Sequence, residues 1–84
     1  MQTKNGNIIA SLSWGFILVI ELTSTSYEII QKIKAHDKTV EKTIEIKDGR
    51  LISCAENKKM KIWKYFNNQY KLDNILCLKN QKRF

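Results

Sequence analysis

The stretch AHDKTVEKTIEIKDGRLISCAENKKMKIWK, Ala35 to Lys64, carries three short apolar runs separated by two polar turns. Val40, Ile44 and Ile46 supply the apolar positions of a first strand, which runs into Asp48-Gly49. That dipeptide tolerates positive φ and suits a two-residue hairpin turn. A second strand is then expected at once, and Leu51 to Ala55 fits it. After the polar turn Glu56-Asn57-Lys58-Lys59, Met60, Ile62 and Trp63 form a third, with Lys61 expected on the opposite face. Three strands joined by tight turns predict an antiparallel meander.

This layout resembles a blade of the WD-repeat β-propellers, whose pattern runs Gly-His, strand, Asp-Gly, strand with Ser-Gly-Ser, Asp turn, and a strand ending Trp-Asp. The matching positions here read Ala35-His36, Asp48-Gly49, Ser53-Cys54-Ala55, Asn57 and Trp63-Lys64. Ala35, Cys54, Asn57 and Lys64 depart from the pattern. The resemblance implies a hydrogen-bonded set that ties the blade together, falling on His36, Ser53, Asn57 and Trp63, with a structural role. An Asn in place of Asp accepts hydrogen bonds but lacks the charge-assisted strength of a carboxylate, so the set is expected to be weaker than the family norm.

A repeat must recur, and this one does. Gly49 stands 43 residues after Gly6, and the same offset carries Asn5 to Asp48, Ile8-Ile9 to Leu51-Ile52, Ile17 to Met60, Val19 to Ile62 and Tyr27 to Tyr70. A period of about 40–45 residues is that of WD repeats. The upstream copy is the more worn, with Ala10, Trp14 and Ile20 standing where Ser53, Asn57 and Trp63 stand in the second.

The fold expected is therefore all-β, as two antiparallel four-stranded blades, the first lacking its innermost strand, without ring closure. Residues 1–34 form the incomplete blade, 35–77 the second blade, and 78–84 a basic tail. Strands are expected over 8–12, 16–21, 27–33, 40–47, 51–55, 60–65 and 70–76. Ile29, Ile30 and Ile33 also suit a helix, but the repeat register places an outer strand there. Asn5-Gly6 and Asp48-Gly49 are the equivalent turns.

With 84 residues the chain is one small domain at most, and small domains are marginal unless stapled. Two cysteines, Cys54 and Cys77, are too few for a disulfide scaffold, and neither has a metal-binding neighbour in sequence. Both read as reduced core thiols, which suits a cytoplasmic or nuclear protein. Residues Ile8 to Ile20, IIASLSWGFILVI, follow Lys4 as a signal peptide would, yet Trp14-Gly15 breaks the run where the repeat demands a turn. The run is also too short to span a bilayer as a helix, so no membrane partner is expected.

A formal charge of +7 invites a nucleic-acid reading. The basic residues are nearly all Lys and scattered, however, and they accompany abundant Asn and Ile, as A/T-rich codons dictate. Tyr65, Phe66 and Tyr70 flank a hairpin turn and suit cross-strand packing better than base stacking. There is no nucleophile motif, no phosphate-cradling glycine loop and no paired acid and base, so neither enzymatic activity nor a cofactor or metal site is expected. The resemblance implies a non-catalytic scaffold for protein–protein interaction, its partners including further propeller blades or copies of itself. The alternatives are a basic β-surface for RNA or another polyanion, and a truncated fragment with no independent function. Propellers close with about four to eight blades, and this chain holds fewer than two.

Overall fold

The computed structural model describes residues 1–77. Its strands are β1 (Ile8–Ser11), β2 (Phe16–Leu22), β3 (Tyr27–Lys34), β4 (Val40–Glu45), β5 (Leu51–Ala55), β6 (Lys59–Phe66) and β7 (Gln69–Cys77). They form two antiparallel sheets, β1-β2-β3 and β4-β5-β6-β7, with no closed barrel. The expected all-β architecture of two open units, the first a strand short, is what the chain adopts. No helix among the described residues is long and apolar enough to cross a membrane. The side chain of Cys77 and the basic tail 78–84 lie outside the described residues.

The two sheets repeat each other pair by pair. Ile8 faces Ile20 as Leu51 faces Trp63, and Leu22 faces Tyr27 as Tyr65 faces Tyr70, all at the 43-residue offset. The β-bulge between Val19 and Ile20 recurs between Ile62 and Trp63. A bulge adds an unpaired residue and re-aims every side chain beyond it, so its recurrence at one position makes the two faces equivalent as well as the two backbones. Even the position of β4 has a counterpart, because the isolated bridge from Gln2 to Ile8 stands where Glu45 pairs with Leu51.

The first turn of each unit corrects the two-residue hairpin. Ile46 N–H donates to the Arg50 carbonyl at 2.9 Å and Gly49 N–H to the Ile46 carbonyl at 2.9 Å, enclosing three loop residues. Thr3, Asn7 and Gly6 make the same two bonds at 2.8 and 2.9 Å. A tight turn closed by a left-handed residue is the usual three-residue solution, and Gly6 at φ 92° and Gly49 at φ 91° supply that residue. The run from Ile8 to Ile20 is β1, a short 3-10 turn at Ser13–Gly15, and most of β2.

The sheets pack face to face around one core. Ile9, Ile17, Val19 and Ile33 from the first sheet meet Leu51, Trp63 and Tyr70 from the second, with Ala35 and Val40 closing the junction. Fully burying each large apolar side chain contributes about 1.5–3 kcal/mol. Polar ties flank this core. The Gln31 amide bonds the backbone of Tyr70 in both directions, and Lys4 donates from its backbone to the Glu45 carboxylate at 2.9 Å and from Nζ to the Lys47 carbonyl at 2.7 Å.

Two further expectations are corrected by register. Lys61 lies opposite Ser53, and so shares the inner face with Trp63, while Met60 and Ile62 occupy the outer one. Cys54, which pairs with Met60, is a free thiol half-buried on that outer face instead of a core group.

Candidate functional site

His36 enters the sheet junction from the connection between β3 and β4. Gly15 fixes it there, because its carbonyl accepts the N–H groups of both Ala35 and His36, at 2.9 and 3.1 Å. Gly15 has φ 82°, and a Cβ at this position would lie 1.9 Å from the His36 carbonyl oxygen. Only glycine fits so close an approach.

Ser53, on the inner face of β5, is the hub. Its Oγ lies 2.8 Å from His36 Nε2 and accepts the Trp63 indole N–H at 2.9 Å. All three side chains are buried. His36 Nδ1 is buried without a partner among the described residues. The imidazole tautomer decides how many groups go unsatisfied: only the Nδ1–H if the Ser53 hydroxyl donates to Nε2, but both the Nδ1 lone pair and the hydroxyl hydrogen if Nε2–H donates to Oγ. Burial holds the His36 pKa below its ordinary value, and the nearby Lys61 charge pushes it the same way.

Of the four residues that the resemblance assigned to this set, the structure brings three together. Asn57 stays apart in the exposed turn between β5 and β6, where its Oδ1 accepts the Lys59 backbone N–H at 3.3 Å. The hydroxyl–imidazole pair is buried in the core. Among the described residues, no group of three or more His, Cys, Asp or Glu could hold a metal ion.

A candidate surface site lies between the two equivalent turns. A groove of about 600 Å³ runs between the two equivalent turns, with Lys4-Asn5 on one side and Asp48-Gly49-Arg50 on the other. Lys64, Tyr65, Tyr70 and Asp73 also line it. Arg50 bridges Asp48 at 2.9 Å and Asp73 at 3.1 Å, tying the turn to β7. Hydrogen bonding from the Arg50 backbone N–H, reinforced by its guanidinium, holds the Asp48 carboxyl below the usual carboxylate range. Tyr65 and Tyr70 pair across β6 and β7 with ring centroids 4.8 Å apart, and burial raises the Tyr70 hydroxyl pKa.

Sequence reasoning placed Asp48, Gly49, Asn5 and Gly6 in turns and left the groove between those turns unseen. Gln31, Gly15 and the Arg50–Asp73 pair were also missed. Gln31 carried no signal, since a Gln between Ile30 and Lys32 on an edge strand reads as an ordinary solvated residue.

No family model matches the chain, and no curated protein or solved structure matches it.

Proposed function

We propose that this chain is a non-catalytic scaffold module of the WD-repeat type, which presents the groove between its two Gly turns to other proteins. One observation carries the reading: two sheets with the same strand register, bulge position and turn geometry at a 43-residue offset, the second tied to its leading connection by a buried His36–Ser53–Trp63 set. Scaffolds of this kind act through rims and loops held by rigid sheets.

The groove's chemistry favours a peptide over a polyanion. Lys4, Lys47, Arg50 and Lys64 line it together with Glu45, Asp48 and Asp73, so its charges nearly cancel. Arg50, moreover, is already engaged by two carboxylates. A nucleic-acid groove needs an uncompensated basic track.

Selection of a displayed peptide library on the purified chain tests this. The expected result is a family of peptides whose binding changes little between low and moderate salt and falls about tenfold or more in Lys64→Glu or Asp73→Arg. Failure to select any peptide, combined with homopolymer RNA binding that weakens steeply with salt, would overturn the proposal in favour of a polyanion surface.

A further inference from the structure

The chain buries one face of each sheet against the other and leaves two faces uncovered. The 43-residue equivalence says what those faces are. The first sheet packs inward through Ile9, Ile17, Val19 and Ile33, all buried. Their counterparts in the second sheet, Ile52, Met60, Ile62 and Leu76, lie on its outer face, away from the junction. The second sheet packs inward through Leu51, Trp63 and Tyr70, and their counterparts Ile8, Ile20 and Tyr27 lie on the outer face of the first.

Each uncovered face is thus a copy of a face that already has a partner, and the two partners are copies of each other. The apolar character is kept at every one of these seven outer positions, in a chain where 27% of residues are charged. A side-chain amide is kept as well: Asn74 stands where Gln31 stands, with its Oδ1 accepting the Ile75 N–H within the single chain, and Tyr27 stands where Tyr70 offers its backbone to Gln31. Several of these side chains are wasted on solvent in the single chain, with Tyr27 66% and Leu76 38% exposed.

We infer that a second copy of this chain docks head to tail, the outer face of its first sheet covering the outer face of the second sheet, in the geometry of the junction within one chain. This rests on the reading of the chain as paired repeat units and names a partner for it. Such a contact is heterologous: a docked pair keeps one free face of each kind, one on each copy, so addition continues until a ring closes or a filament grows.

Sedimentation of the purified chain over a concentration series tests the inference, using variants that carry a charge at one exposed outer position. Leu76→Lys spoils the outer face of the second sheet, and Tyr27→Lys that of the first. The wild type is expected to sediment above the monomer mass, each variant alone as a monomer, and their equimolar mixture as a one-to-one dimer, since each retains the face the other needs. Self-association of either variant alone would indicate a symmetric contact and overturn the inference. So would a monomeric wild type, although peptide selection at the groove would then still stand. If circular dichroism shows that either variant has lost its sheets, Asn74→Arg and Ile29→Lys replace the pair, with the same outcomes.

Discussion

The side-chain amide of Gln31 pairs with the backbone of Tyr70 as a neighbouring strand would, donating from Nε2 to the carbonyl at 2.8 Å and accepting from the N–H at 2.8 Å. The two residues are 39 apart and belong to different sheets. Replacing Gln31 with Met keeps the length of the side chain and removes both bonds. A part-buried N–H and C=O are then left unpaired, which costs about 1–3 kcal/mol. Urea unfolding is expected to show that loss, and an unchanged midpoint would mean that water satisfies Tyr70 equally well.

Ser53 carries two bonds on one oxygen. Ser53→Ala is expected to destabilise the chain by about 1–3 kcal/mol, because it strands both the Trp63 indole N–H and the His36 ring nitrogen in the core. Trp63→Ala adds a cavity to the lost bond and is expected to cost about 3–5 kcal/mol. A double-mutant cycle between Ser53→Ala and Trp63→Phe measures their coupling. Additive losses would show that the indole bond contributes nothing.

The buried imidazole makes stability depend on pH in a stated direction. The folded-state pKa of His36 lies below its ordinary value of 6.5, with burial as the main cause. Well above pH 6.5 the ring is neutral in both states and contributes no slope. Below it, the unfolded chain binds a proton that the folded chain refuses, so stability falls as pH drops from 6.5 toward the folded-state pKa. His36 is the only histidine, and carboxylates titrate mainly lower, at about 4. Chemical denaturation between pH 7 and 5 is expected to show the decline in the wild type and a flatter profile in His36→Asn.

Two glycines with similar backbone angles are expected to respond differently to alanine. Gly49→Ala meets open space and pays only for its positive φ, about 1–2 kcal/mol. Gly15→Ala also drives a methyl into the His36 backbone, so its loss in urea unfolding is expected to exceed that of Gly49→Ala clearly. Equal losses would mean that the His36 connection yields freely.

Trp14 is a bulky residue at φ 64° that is 76% exposed, so it holds a left-handed conformation with little burial in return. Trp14→Gly is expected to raise stability by about 1 kcal/mol, read as a higher thermal midpoint. A drop would show that the exposed ring makes a contact worth more than its backbone strain.

The strands were legible because each is bounded by a residue type with a local reason for being there. Gly6 and Gly49 sit where left-handed backbone closes a turn, and the β-branched runs between such points have few alternatives to pairing. Lys61 and Cys54 were misplaced for a physical reason of the same kind. Which face of a strand becomes core depends on pairing register, and register is set by partners that the strand's own residues do not name. Asn57 was assigned to the buried set by pattern alone, whereas in the turn its amide finds a nearer donor in the Lys59 backbone.

By itself, the sequence determined that this protein is a tandem of β-meanders. Period, turn residues and apolar alternation act over a few residues, and their information survives in one dimension. Only the tertiary structure decided which faces meet. It buried Ser53 between His36 and Trp63, aimed Gln31 at Tyr70, and left Tyr27 and Leu76 outward. Those outcomes depend on how two sheets approach through a shared core, a non-local choice settled by packing and by the few polar groups that must find partners across the gap.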